Sequence, residues 1–261
     1  MRTRFFHCIA AVLSALALCP CSGTGEPEPS ALNLMPVPRS LARTGGRLAL
    51  DASFTAALTG YGDARLRAAA VRLLERVRGR TGLPVSAAPA GNPETATLEI
   101  RCAGPGEKVQ SVQTDESYSL EVTPQKARIA AASPIGVLRG METFLQLIDI
   151  DAASFFLPAV RIEDAPRFPW RGLHIDVSRH WQPADVIRRN LDAMAALKMN
   201  VLHWHLSDDQ GFRVESRRFP RLHRVASEGD YYTQDEVRAV IAYGRERGIR
   251  IVPEFDMPGH T

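Results

Sequence analysis

Toward the C-terminal end of the chain, three stretches of strand-like patterning break off in clusters of ionisable residues. They are GLHIDVS (Gly172 to Ser178), NVLHWHLS (Asn200 to Ser207) and IRIVPEF (Ile249 to Phe255). In the first, Leu173, Ile175 and Val177 fall on one side and His174, Asp176 and Ser178 on the other, the two-residue period of a strand. Helical patterns separate them. Ile187, Leu191 and Met194 recur at helical spacing after Pro183. Val237, Val240 and Ile241 do the same after Thr233 and Glu236, which have capping-box spacing, and Gly248 closes that helix. Strand, polar turn, helix, strand is the order of a parallel α/β unit. The segment from Asp208 to Tyr232 reads as one long polar loop, of a length that usually carries function.

Upstream, over about residues 32 to 165, the pattern changes. Asp63 caps a helix that runs to about Gly79, with Leu66, Ala70, Leu73 and Val77 as its apolar stripe, and TGLP (Thr81 to Pro84) ends it. The arginines between 65 and 80 read as its solvated face. TLEIRC (Thr97 to Cys102) and YSLEV (Tyr118 to Val122) alternate like half-buried strands, and KARIAAAS (Lys126 to Ser133) pairs with the second through a turn at Thr123-Pro124. Ser133 and Pro134 then make an N-cap and first helical position, opening a helix that buries Val137, Met141, Phe144, Leu145 and Ile148. These elements predict an α+β layer of a few strands and two helices with no cluster of acids, bases or nucleophiles, and hence a structural role. Leu157 to Phe168, with prolines near both ends, reads as the crossing into the second domain.

Composition changes this picture little. A content of 45% hydrophobic and 23% charged residues is that of a globular protein. The net charge of +3 includes Arg2 and Arg4, so the rest of the chain has no electrostatic footprint for nucleic acid. Arg2 and Arg4 precede an apolar run, Ile9 to Leu18, too short to span a bilayer. Residues 1–23 therefore read as a cleaved export signal and 24–31 as a polar linker, placing the mature protein in the periplasm, outside the cell or on its surface. Cys19 and Cys21 stand where a lipoprotein carries its lipidated cysteine, but Leu18 and Pro20 precede them instead of a small residue, so a membrane association would require lipidation that this pattern does not favour. Cys102 alternates with Leu98 and Ile100 and reads as a buried small hydrophobe.

The candidate chemistry lies at the strand ends of the second domain, residues 166–261. Two parallel architectures fit, a (β/α)₈ barrel and a doubly wound sheet. The first strand is followed by no glycine-rich phosphate loop, and polar residues gather at the strand ends, which favours the barrel. Only its first three strands are present. Arg179 is either a surface arginine or a guanidinium fork for hydroxyls or a carboxylate. Asp208-Asp209 is either a turn or a pair in which Asp208 orients a polarised group. His203 and His205 share a strand face, as metal ligands do, although Trp204 between them points to packing. His260 sits where a loop reverses, and spacing assigns it no role.

WRGLHIDVSRHW, LKMNVLHWHLSDDQGFRVES and RGIRIVPEFDMPGHT, in that order, resemble glycoside hydrolase family 20, the β-N-acetylhexosaminidases. The likeness is close from Phe168 to Thr261, and SPIGVLRGMETFLQLI (Ser133 to Ile148) is similar to the family's non-catalytic domain. The resemblance implies an α+β N-terminal domain followed by a (β/α)₈ barrel. The implied activity is release of terminal, non-reducing β-linked N-acetylglucosamine or N-acetylgalactosamine from oligosaccharides or glycoconjugates, with no cofactor and no metal. The substrate's own 2-acetamido carbonyl would be the nucleophile, a departure from the two-carboxylate scheme. By motif, Arg179 matches the arginine that holds hydroxyls of the terminal sugar. Asp208 and His260 match a supporting Asp–His relay that tunes the acid Glu. His203, His205, Glu254 and Asp256 look like supporting residues below that layer.

The family's Asp-Glu pair belongs to a Gly-Gly-Asp-Glu type motif that does not occur among the 261 residues, so the chain by itself is expected not to hydrolyse a hexosaminide. Two other classes compete. One is a metal-dependent amidohydrolase-type barrel using His203 and His205, although such a pair belongs on the first strand. The other is a non-catalytic glycan-binding protein, which would have no need of an acid-tuning relay. A chitinase of another barrel family would carry a DxxDxDxE-type strand, which is not found.

Overall fold

The computed structural model describes residues 32–90 and 92–260, so the export signal read at 1–23 and the linker at 24–31 lie outside the described residues. In chain order the elements are β1 (Ser40–Leu50), β2 (Ala56–Gly60), α1 (Ala64–Thr81), β3 (Leu98–Cys102), β4 (Tyr118–Val122), β5 (Ala127–Ala131), α2 (Pro134–Gln146), β6 (Asp149–Ile150) and β7 (Phe155–Asp164). There follow β8 (Gly172–Asp176), α3 (Ala184–Ala196), β9 (Val201–His205), β10 (Ser207–Asp208), β11 (Gly211–Phe212), α4 (Arg221–Ala226), α5 (Gln234–Glu246) and β12 (Arg250–Glu254).

The first seven strands form one mixed sheet in the order β1-β7-β4-β5-β3-β2, with β6 also on β7. Alternation decides its faces. Leu98, Ile100, Cys102, Leu120, Val122 and Ile129 are buried, whereas Arg101 and Arg128 of the same strands are exposed. Helix α1 starts as the pattern predicts, Asp63 accepting the Leu66 N–H at 2.8 Å, and ends at Gly82 in the left-handed region. Its arginines are not a uniformly solvated face: Arg76 donates to Glu142 of α2 at 2.5 and 2.7 Å, and Arg72 reaches Glu246 of α5. Helix α2 buries Val137, Met141, Phe144 and Leu145, whereas Ile148 lies beyond its C-cap, Leu147, and is half-buried.

The segment read as an interdomain crossing is instead mostly strand. Strand β7 runs between β1 and β4, and its Val160 and Ile162 are buried opposite Val122 and Leu120. Pro158 misled the reading. A proline removes a ladder donor, but here it sits where β4 has already turned away after Val122 and where β1 bulges between Arg43 and Arg47. Gly45 and Gly46, both at positive φ, make that bulge.

Strands β8, β9 and β12 form a parallel sheet in the order β12-β9-β8. One face packs on α3 and α5 through Val177, Ile187, Leu191, Met194, Leu202, Trp204 and Val240. Ile241 departs from its expected inward position and is 45% exposed. The stretch from Asp208 to Tyr232 is not one loop: it holds the β10–β11 hairpin and α4, and a bridge from Val214 to Tyr232 closes it.

The two layers meet at the N-terminal ends of these strands. Glu116, buried just before β4, accepts from Arg139 of α2 at 2.6 Å, from Arg171 before β8 at 2.5 Å and from Asn200 before β9 at 2.9 Å. Arg139 also donates to the Gly248 carbonyl before β12 at 2.7 Å. Lys198 reaches Asp164 and the Tyr118 hydroxyl. One end of the parallel sheet is thereby clamped to the α+β layer. The opposite, C-terminal end is left for chemistry, as in (β/α)₈ barrels generally.

Candidate active site

Register places the ionisable residues in layers. Asp176 of β8 lies beside His205 of β9, and His205 beside Glu254 of β12; one pleat below, His174 lies beside His203. Because alternate side chains share a face, all five project from the side opposite α3 and α5.

Arg179 follows β8 in a turn made by Asp176, whose Oδ1 accepts the N–H groups of Ser178 and Arg179, each at 3.0 Å. The other oxygen of Asp176 holds Arg179 Nη1 at 2.6 Å. Arg179 Nη2 bonds Asp208 Oδ2 and lies 3.4 Å from His260 Nδ1. Asp208 is carried into the site by the β10–β11 hairpin, which is fastened to β8 by Ser178 Oγ donating to the Gly211 carbonyl at 2.6 Å. His260 Nδ1 is 3.3 Å from Asp208 Oδ1. The structure therefore brings Arg179, Asp208 and His260 together.

The Asp208 side chain is 1% exposed. Burial works against its charge, but the Asp209 N–H, His205, His260 and Arg179 outweigh that and lower its pKa to about 2. Asp208 is thus an anion at any working pH. The Arg179 side chain stays 42% exposed. Two of its N–H groups are committed to Asp176 and Asp208, so a guanidinium with five N–H donors keeps several for a ligand. His260 is 57% exposed, with only its Nδ1 turned to Asp208.

His205 and Glu254, expected as supporting residues below this layer, stand behind Asp208 and are joined to it. His205 Nε2 lies 3.0 Å from Asp208 Oδ2, and its Nδ1 lies 2.6 Å from Glu254 Oε2. His203 Nε2 meets the same Glu254 oxygen at 3.0 Å. Asp256 enters through its backbone, its N–H donating to Ser207 Oγ at 3.3 Å. Asp176, which clamps Arg179, went unassigned, although parity had already placed it on the polar face. Among the described residues, His174, His205 and Glu254 bring ligand-type atoms within 4.8 Å of one another. Both His205 nitrogens already face carboxylates, so the cluster is an ion-pair network as it stands.

An α+β layer docked beneath parallel strands that present an Arg–Asp–His constellation at their C-terminal ends is the arrangement of the start of a (β/α)₈ barrel with polar strand ends. The comparisons with known proteins make this specific. Residues 31–165 match the profile described as glycosyl hydrolase family 20, domain 2, and residues 168–261 match that of the family's catalytic domain. The chain belongs to glycoside hydrolase family 20. It is 48% identical over 171 residues to the β-hexosaminidase subunit beta of Mus musculus, covering 63% of this chain and 31% of that protein. A β-hexosaminidase of Vibrio furnissii is 37% identical over 163 residues, covering 56% and 27%. Among solved structures, a chitobiase of Flavobacterium johnsoniae superposes with a TM-score of 0.84 at 46% identity, covering 88% of this chain and 35% of that one. The N-acetyl-β-hexosaminidase of Streptomyces plicatus gives 0.72 at 31% identity, covering 87% and 46%. The chain thus spans about a third of the length of the curated relatives it matches. Family membership replaces the amidohydrolase reading of His203 and His205.

Proposed function

We propose that this chain supplies the non-catalytic domain and one wall of the active site of an exo-acting β-N-acetylhexosaminidase. The enzyme would release terminal, non-reducing β-linked N-acetylglucosamine or N-acetylgalactosamine with retention of configuration. The observation that carries this reading is the buried anion Asp208, shared between Arg179 and His260 at the strand ends of a family 20 chain.

In substrate-assisted hydrolysis the 2-acetamido carbonyl oxygen bonds to the anomeric carbon as the glycosidic bond breaks. The leaving oxygen takes a proton from a carboxylic acid, and an oxazolinium ion forms. Water then opens that ion, restoring the original anomer. Arg179, held open by Asp176, offers its free N–H groups to sugar hydroxyls. His260, fixed at Nδ1 by Asp208, presents its other ring edge to the acid and tunes it, since such an acid must hold its proton near neutral pH yet release it on demand. The acid and the acetamido-orienting Asp belong to a Gly-Gly-Asp-Glu type motif absent from these 261 residues. In this reading the chain alone does not turn over, and residues 1–23 direct export.

The test compares the purified 261-residue chain with the product of the complete reading frame on aryl β-N-acetylglucosaminide and -galactosaminide. Hydrolysis by the complete product, with the β-anomer released first in NMR, is expected, and none by the 261 residues alone. Turnover by the short chain, or an α-anomer first, would overturn the mechanism.

A further inference from the structure

Asp208 Oδ1 accepts the Asp209 N–H at 2.8 Å and faces His260, while Oδ2 faces Arg179 and His205. A carboxylate has about four lone-pair sites, and here each has a partner. Three of the four are part of the proposed sugar-facing constellation or its own backbone. The fourth, His205, is not: its side chain is 6% exposed and reaches away from the site toward Glu254. We propose that Glu254, acting through His205, is a positioning element for the reaction, anchoring Asp208 from behind so that its other oxygen stays turned toward His260. This rests on the hexosaminidase reading above, and it adds to the Asp208–His260 pair a rear half that runs Glu254, His205, Asp208, His260.

The geometry makes this a connected line. His205 lies between two carboxylates, at 2.6 and 3.0 Å. A neutral imidazole has one N–H donor and can satisfy only one of them; an imidazolium donates to both. His205 is therefore held as a cation that ties two anions together. Its surroundings agree with that state. Asp176 and His174 face it from β8, Glu254 from β12 and Asp208 from the hairpin, with Arg179 and His260 beyond Asp208 and His203 on its own strand. Burial lowers the His205 pKa, but Glu254, Asp208 and Asp176 raise it further than burial depresses it.

The line is also mechanically stiff. His205 is flanked by Trp204 and Leu206, both buried on the helix side, so β9 cannot slip by one residue without exposing them. The Leu206 N–H donates to the Glu254 carbonyl at 3.1 Å, and the Val177 N–H to the His205 carbonyl at 3.2 Å, extending the ladder on both sides. Glu254 Oε2 is held in turn by His203 at 3.0 Å.

The test uses the product of the complete reading frame as wild type and as Glu254→Gln and Glu254→Asp variants, with the histidine imidazoles of the 261-residue chain followed by ¹⁵N NMR. A misplacement of about 1 Å at a positioning group can cost about 100-fold in rate. Glu254→Gln is accordingly expected to lower kcat about 10- to 100-fold with KM changed less than about twofold. The alkaline limb of its pH–kcat profile should move to lower pH, because His205 loses the charge that keeps it protonated. Glu254→Asp, which retains the charge, should recover part of the loss. In NMR, wild-type His205 should carry protons on both nitrogens at neutral pH and lose one in Glu254→Gln. A neutral wild-type His205 overturns the proposal, as does a Glu254→Gln protein with unchanged kcat and pH profile. So does a Glu254→Asp protein no better than Glu254→Gln. If the wild type hydrolyses no hexosaminide, the functional reading fails, and the NMR arm still decides the anchor.

Discussion

Glu116→Gln is the most informative perturbation outside the active site. The carboxylate is buried, and three donors from three segments converge on it: Arg139 at 2.6 Å, Arg171 at 2.5 Å and Asn200 at 2.9 Å. Glutamine has the same shape, so no cavity opens, but it lacks the charge and turns an NH₂ group toward donors. Removing one partner of a buried ion pair typically costs about 3–5 kcal/mol, chiefly because the remaining charge is stranded. Arg139 is 2% exposed and keeps only the carbonyls of Gly248 and Arg247, at 2.7 and 3.4 Å. Arg171 keeps those of Lys198 and Phe168, at 2.9 and 2.7 Å. These retained bonds place the expected loss at the lower end, about 3 kcal/mol, a large share of the roughly 5–15 kcal/mol available to a folded chain. Urea unfolding should show a lower midpoint at unchanged slope. Glu121→Gln is the matched control. It breaks an exposed bond to Arg161, and such surface pairs are worth about 0–1 kcal/mol. Equal effects of the two variants, or a Glu116→Gln loss below about 1 kcal/mol, would refute the view that a charged node clamps the domains.

Gly136→Ala should destabilise despite improving helix propensity, because a Cβ there would lie 2.2 Å from the Ser117 carbonyl oxygen and 2.8 Å from Ala131 Cβ; overpacking of this kind costs about 1–3 kcal/mol. Gly79→Ala, in open space on α1, should instead stabilise by about 0.5–1 kcal/mol, and thermal melts that fail to separate the two would show that the backbone contact at Gly136 is not real. For Asp208, a pKa held at about 2 against an ordinary value of 3.8 means that its ionisation favours the folded state above pH 4 and ceases to do so as pH falls through 2. Asp208→Asn should therefore flatten the acid unfolding curve between those values, as followed by circular dichroism, and an unchanged curve would deny the ion pairing.

Much of the architecture was legible from local pattern. The caps at Asp63, Ser133 and Thr233 announced three helices because a cap is chemistry between residues three apart. Strand β7 was not, because Pro158 reads as a break unless one knows that β4 ends before reaching it. The hairpin carrying Asp208 was hidden for a similar reason: its two-residue strands are too short to show a period. Ile241 fits a helical stripe and is nevertheless exposed, since periodicity names a face without naming what covers it.

By itself the sequence determined which side chains share a strand face, because alternation is a property of one backbone. His174 with Asp176, and His203 with His205, could be assigned to a polar face from the pattern alone. It could not determine which residue of β8 or β12 stands beside His205, since register between parallel strands separated by whole helices depends on how those helices and the docked domain pack. Tertiary structure decided that. It set Asp176 and Glu254 on either side of His205 and brought Asp208 over it. It also drew Glu116 to Asn200 across 84 residues of chain. The interactions that orient the site are non-local pairings of charge, formed only once the packing of apolar faces has brought their partners within reach.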